Sequence, residues 1–296
     1  MSIEARGWVA LASLAALLGL APSRAEADEP SVAANSSATA SPRLERPLWE
    51  LGLGLGALSL PHYRGSDQSH TWLLPVPLFV YRGAIFKADR EGARAVLLDT
   101  QALDLDVSLG AGAPTRSADN LARAGMPNLA PTFEIGPNLN WTLATERGWR
   151  LQLRLPVRAA YTLQSRPRDI GWVTSPNVSL DLRGPYAWNF GLLAGPVFGS
   201  RRFNQYYYEV PAAYATADRA EYSARSGAAG GQFIAALSQR SGQRWTGVFL
   251  KFDTLRGASF ADSPLVRRRQ GWSAGVAMSW ALTSSSQRVT VGPEAP

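Results

Sequence analysis

Residues 149–157 read WRLQLRLPV, and no other stretch limits the possible folds so sharply. Trp149, Leu151, Leu153, Leu155 and Val157 take every second position, with Arg150, Gln152, Arg154 and Pro156 between them. Successive side chains along a β-strand point to opposite faces, so the run predicts a strand with one apolar and one strongly polar face. One such strand could pack its apolar face on a soluble core. A series of them, with aromatics near their ends, predicts a sheet closed on itself with lipid outside and polar groups inside.

The series is present. ALDLDVSLG places Leu103, Leu105, Val107 and Leu109 against Asp104, Asp106 and Ser108. PTFEIGPNLNWTLA sets Phe133, Ile135, Leu139 and Trp141 outward, with Glu134, Asn138 and Asn140 opposite. Arg150, Gln152, Arg154 and Arg158 share one face of the strand that follows, beyond a tight turn at Thr145 to Gly148. VTSPNVSLDLRG adds Asp181 and Arg183, and RWTGVFLKFDTLRG adds Lys251 and Asp253. In LWELGLGLGAL, Trp49 and leucines alternate with glycine, large outward and small inward. TWLLPVPLFVYRG carries Pro75 and Pro77, which cannot donate ladder hydrogen bonds and predict a bulged or kinked strand. AIFKADREGARAVLLDT reads as a hairpin turning at Glu91-Gly92. Strands of this length suit tilted membrane spans, and the fold class is an all-β, transmembrane, antiparallel up-and-down barrel of about twelve strands (10–12).

Nine tryptophans (Trp49, Trp72, Trp141, Trp149, Trp172, Trp188, Trp245, Trp272 and Trp280) lie in or at the ends of these strands, as interfacial girdles require. Short connections (Thr145 to Gly148, Gln239 to Gln243) belong to the periplasmic side. Long ones (Ala113 to Ala130, Gln164 to Gly171, Arg202 to Gly227, Ala258 to Arg269) belong outside.

Residues 1–27 read as a signal peptide: Arg6, an apolar stretch from Trp8 to Leu20, and small-residue cleavage sites around Ala25 and Ala27. Residues 28–47, rich in Ala, Ser and Pro, read as a disordered periplasmic lead-in, residues 48–282 as the barrel and 283–296 as a tail. The chain contains no cysteine, which excludes disulfides and thiolate chemistry. The net charge of +7 is carried mostly by arginines spread along strands, so nucleic acid is a poor partner.

Several short motifs occur in a fixed order. PHYRGSDQ over Pro61 to Gln68 forms a turn around Pro61, Tyr63, Gly65, Ser66 and Asp67; PVPLFVYRG and FKADREG follow. Tyr206 to Val210 (YYYEV), Ala261 to Val266 (ADSPLV) and a closing Gly/Ala/Ser strand complete the series. Together they resemble the MipA/OmpV family of outer-membrane proteins, the MltA-interacting proteins, over nearly all of residues 48–282. Two features depart from that pattern: the chain runs past Trp280 and Leu282 without a terminal aromatic, and it carries an extra Tyr and Glu209 near Tyr207. The resemblance implies a monomeric scaffold in the outer membrane of a Gram-negative bacterium. It would face outer-membrane lipid and link a lytic transglycosylase to a bifunctional murein polymerase during growth of the peptidoglycan sacculus, without catalytic residues or cofactors.

Rival readings place other demands on the same residues. A hydrolase would use His62, Ser66 and Asp67 or His70, yet a nucleophile needs a base within hydrogen-bond reach, and Tyr-Arg-Gly-Ser-Asp reads as a turn. Asp104 with Asp106, or Asp253, could ligate a metal, but carboxylates on a lumen wall ordinarily meet arginines, so none is expected. A small-solute channel is the alternative function, with Arg150, Arg154 and Arg158 facing either acidic partners or open water.

Overall fold

A computed structural model describes residues 44–82, 86–89, 92–100 and 102–291. The stretch expected to be a signal peptide and most of the expected lead-in fall outside them. Among the described residues, fifteen strands run in chain order: β1 (Leu44–Pro47), β2 (Trp49–Pro61), β3 (Ser69–Arg82), β4 (Phe86–Asp89), β5 (Gly92–Asp99), β6 (Leu103–Gly112), β7 (Thr132–Glu146), β8 (Trp149–Thr162), β9 (Asp169–Thr174), β10 (Asn177–Arg183), β11 (Trp188–Gly199), β12 (Gly227–Ser241), β13 (Arg244–Thr254), β14 (Gln270–Ser284) and β15 (Arg288–Val291).

Thirteen of these strands form one antiparallel sheet, and it closes. β8 pairs with β7 on one side; on the other its two halves pair with β9 and β10, which both pair with β11. β9 and β10 are one strand position bent at Ser175-Pro176, so the thirteen strands occupy twelve positions around a barrel. Closure removes most free edges, which a sheet surrounded by lipid requires.

The outer wall is apolar where alternation predicts it. Leu53, Leu55, Leu73 and Trp272 expose more than half of their surface, and Val248, Leu250, Val276 and Trp280 stand beside them. A water-soluble monomer does not carry a continuous belt of this extent, so this face meets lipid and the barrel spans a membrane.

Three features differ from the sequence expectations. β3 has no bulge at Pro75 or Pro77: it pairs with β2 without interruption from Ser69 to Tyr81, whereas only Tyr81 and Arg82 pair with β4. The prolines therefore turn their missing N–H groups toward the sparsely paired edge, where no ladder bond is lost. Trp72 and Trp245 face inward, in an apolar cluster with Leu58, Leu74 and Phe249, and are not girdle residues. The lead-in is not structureless to residue 47: β1 pairs with β15, and Leu48 N donates to Gln287 O at 2.9 Å. This ribbon joins both ends of the described chain at the short-turn end. The hairpin of β4 and β5 pairs Asp89 with Gly92, but residues 90–91 of its turn lie outside the described residues.

β2 shows how sequence sets barrel shape. Gly52, Gly54 and Gly56 face inward, and a Cβ at Gly54 would collide with the carbonyl oxygen of Met278 on β14. Only glycine lets the two backbones approach so closely.

Candidate functional site

The interior has two sectors. β2, β3, β12, β13 and β14 supply the apolar cluster around Phe249, while β6, β7, β8 and β10 supply hydrogen-bonded polar groups. In the second sector Asp106 accepts from Asn138 Nδ2 and Asn140 Nδ2, each at 3.0 Å. Asn138 also donates to Asn140 Oδ1 at 2.8 Å, and that oxygen accepts Arg154 Nε at 3.1 Å. Gln152 Nε2 donates to Thr142 Oγ1 at 3.2 Å. Arg158 pairs with Glu134 at 2.9 Å and donates to Ser108 Oγ at 3.2 Å and Ser175 Oγ at 3.4 Å. Asp181 stands opposite Arg150 on the neighbouring strand, and Arg154, Arg150 and Arg183 are the cations whose charge reaches it. Asp104 lies opposite Asn140 and Asp99. The sequence pointed only to β6 and β7 as partners of the β8 arginines; β10 could not be assigned as the other neighbour from local pattern alone.

Each end of the interior carries a further ion pair. Near the short-turn end, Arg240 of β12 reaches Glu50 of β2. Near the other, Asp253 accepts Arg64 Nε at 2.8 Å and Lys251 Nζ at 3.3 Å. Glu50, Arg240 and Arg64 were not among the sequence-level candidates, because their partners lie nearly two hundred residues away.

Above the barrel the long loops pack together into a cap. Helix α1 (Arg201–Tyr208) starts at Ser200, whose side chain accepts from Phe203 N at 3.3 Å. The sequence places this stretch in the long connection Arg202 to Gly227, and its helix carries only a weak local signal: a Tyr triplet favours strands, and Phe203 rather than Glu or Gln stands three residues after the N-cap serine. Tyr63, Leu129, Tyr208, Val210, Leu255, Phe260 and Leu265 pack into one buried cluster. The Tyr208 and Phe260 rings stack with centroids 3.6 Å apart.

The motifs that seemed local in the sequence meet here. Tyr63 Oη donates to Leu265 O at 2.8 Å, Tyr208 Oη to Arg64 O at 2.9 Å, and Ser263 Oγ to Tyr208 O at 2.8 Å. Thus PHYRGSDQ, YYYEV and ADSPLV, spread over two hundred residues, form one contact. Gly65 adopts φ +97°, and its carbonyl accepts Arg267 N at 2.8 Å and Arg268 N at 3.0 Å. A side chain at Gly65 would be strained and would crowd Leu255 Cδ1 at 2.8 Å. Pro61 ends β2, and Asp67 is exposed.

Ser66 Oγ donates to Gln68 O at 3.0 Å and accepts from Asn120 Nδ2 at 3.0 Å. The same amide lies 3.1 Å from His62 Nδ1. An amide N–H can only donate, so His62 is neutral with Nδ1 accepting, and the Ser66 proton goes to a carbonyl rather than to a base. Burial lowers the His62 pKa, the nearby His70 adds to the fall, and Asp119 opposes it. Burial raises the Tyr63 phenol to about 12, against the opposing charge of Arg123. Arg123 lies 5.9 Å over the Tyr63 ring and donates to the carbonyls of Tyr207 at 3.1 Å and Pro127 at 3.2 Å. Among the described residues no group of three or more His, Cys, Asp or Glu is arranged to bind a metal.

Comparison with solved structures finds distant likenesses. A bacterial polysaccharide outer membrane secretin is 6% identical over 79% of this chain and 99% of its own, with TM-score 0.41. The NanC porin is 8% identical over 79% and 100%, with TM-score 0.34. A Pseudomonas aeruginosa FadL homologue is 9% identical over 84% and 74%, with TM-score 0.35. No curated protein matches the chain. The profile of the family described as MltA-interacting protein MipA matches residues 53–282, from the second strand through the last long strand, and takes in every motif that converges in the cap. With the closed transmembrane barrel beneath that cap, the match makes this chain a member of the MipA family of outer-membrane β-barrel proteins.

Proposed function

We propose that this protein is a non-enzymatic platform of the Gram-negative outer membrane, which holds a lytic transglycosylase and a bifunctional murein polymerase together on its periplasmic side. One observation carries the reading. The long loops pack into a buried cluster over the outer mouth, and the interior below it holds paired charges and an apolar cluster. An anchor needs a rigid wall and no passage; a solute channel needs a continuous wet path. The family description, MltA-interacting protein, supports a murein enzyme as partner. The short-turn end, which carries the β1–β15 ribbon, is the face available to periplasmic enzymes.

The test uses the full barrel refolded in detergent and immobilised by a loop tag, with purified lytic transglycosylase and purified murein polymerase passed over it singly and together. Retention of each, and of both at once on the same barrel, is the expected result. Retention of neither by a barrel that is folded overturns the platform reading in favour of solute passage.

A further inference from the structure

The lipid-facing column of β13 and β14 changes chemistry step by step toward the outside. Leu250 pairs with Ala274, Phe252 with Trp272 and Thr254 with Gln270. Phe252 and Trp272 touch, with ring centroids 4.8 Å apart, and Trp272 is largely exposed. The ladder goes one step further, Leu255 N donating to Arg269 O at 2.8 Å. Leu255 is buried under the cap, and Arg256 and Arg268 follow just beyond the facing ends of β13 and β14. Both arginines are exposed. From the wall outward, the order is aliphatic, aromatic, neutral polar, cationic.

That order matches a bilayer leaflet: hydrocarbon, interface, headgroup. Arg268 lies four residues beyond Trp272, about 10 Å higher at ~3.4 Å per residue and a tilt of ~45°. This is the level of the headgroup layer when Trp272 marks the interface. A shallow depression of about 580 Å³, open to the surface, lies here, lined by Arg256, Gly257, Arg268, Arg269 and Gln270. The segment from Leu255 to Gln270 holds Arg256, Arg267, Arg268 and Arg269 against Asp262 alone. Asp262 is almost fully exposed and only 3.4 Å from Arg269, a weak competitor for the site. The Gly65 carbonyl accepts from the backbone N–H groups of Arg267 and Arg268, which anchors the main chain that carries them.

We propose that this depression is a binding site for the phosphate of an outer-leaflet glycolipid headgroup, its acyl chains lying against Phe252, Trp272 and Leu250. Guanidinium groups bind phosphate through paired charge-assisted hydrogen bonds, and the aromatic pair supplies the apolar contact directly below. The site rests on the barrel's placement in the membrane and not on the platform role, so failed enzyme capture leaves it standing.

The full refolded chain in detergent is titrated with diphosphoryl lipid A, and bound lipid is counted by native mass spectrometry. The double variant Arg256→Gln/Arg268→Gln should weaken binding about tenfold or more, and removal of both phosphates from the lipid should do the same to the wild type. Arg201→Gln/Arg202→Gln, cationic cap positions elsewhere, should bind as wild type. Equal binding by the Arg256/Arg268 variant and the wild type overturns the site, as does equal loss in the Arg201/Arg202 variant. Displacement of the lipid by an equal concentration of inorganic phosphate would also overturn it, by assigning the depression to free phosphate. Heat-modifiable gel mobility confirms that each variant is folded. Protease protection in vesicles reads membrane insertion separately.

Discussion

Replacing Arg158 by methionine should be among the most damaging single changes inside this barrel. The guanidinium pairs with Glu134 at 2.9 Å and reaches Ser108 and Ser175, so it ties β8 to β6, to β7 and to the bend between β9 and β10. Both charged side chains are mostly buried, at 16% and 14% exposure. Removing the cation strands a carboxylate, and breaking a buried pair this way costs about 3–5 kcal/mol. The residual exposure of Glu134 places the expected loss near the lower end, about 3 kcal/mol. Glu134→Gln alone leaves Arg158 its serine partners and should cost about 1–2 kcal/mol. The double variant carries no stranded charge, so its loss should fall below the sum of the singles by about 2 kcal/mol. Equilibrium unfolding in urea from lipid vesicles, followed by tryptophan fluorescence, measures all three. Additive losses, or an Arg158→Met variant within about 0.5 kcal/mol of wild type, would show that this pair does not hold the interior together.

Three further outcomes follow from the same structure. Val276 is half exposed at mid-strand between Val248 and Ala57, so Val276→Arg should cost about 2–4 kcal/mol if lipid covers it, against under about 0.5 kcal/mol on a water-facing surface; urea titration from vesicles separates the two. Phe260→Ala empties the stacking partner of Tyr208 and should remove about 3–5 kcal/mol from the cap alone, seen as fast protease cutting of residues 200–226 while the barrel keeps its heat-modifiable mobility; loops as resistant as wild type would contradict the packing. His62 has a folded pKa below its ordinary 6.5, so its neutral form favours the cap above that value, and this contribution is lost as pH falls through the folded pKa. Protection factors in residues 113–131, which divide out the intrinsic slowing of exchange in acid, should therefore fall on acidification below pH 6.5 and lose that dependence in His62→Gln; pH-independent protection in the wild type would refute the assignment.

The barrel was legible in the sequence because strand alternation is a local signal. WRLQLRLPV and LDLDVSLG declare both faces within nine residues, and β8 and β6 follow them. TWLLPVPLFV shows no alternation because β3 is apolar on both sides, Leu73 and Phe79 toward lipid and Leu74 and Val80 toward the interior. That is why the contribution of β3 to the apolar sector, Trp72 included, had no periodic signature. The cap was hidden for a different reason. Tyr63, Tyr208 and Leu265 are brought together by packing, and no spacing along the chain encodes a contact across two hundred residues. Asn120, which bonds both His62 and Ser66, sits in a loop whose only visible property was its length. Pro75 and Pro77 marked the sparsely paired side of β3 rather than a kink, a distinction that depends on how far each neighbour pairs along the strand.

The central claim is a transmembrane barrel closed by its cap and filled by its own side chains, and planar-bilayer recording of the refolded chain tests it most directly. The account predicts a silent membrane at neutral pH, with insertion confirmed by protease protection. Stable single-channel steps in the wild type that lose an anion preference in Arg154→Ala would contradict it, since they would show those arginines lining open water.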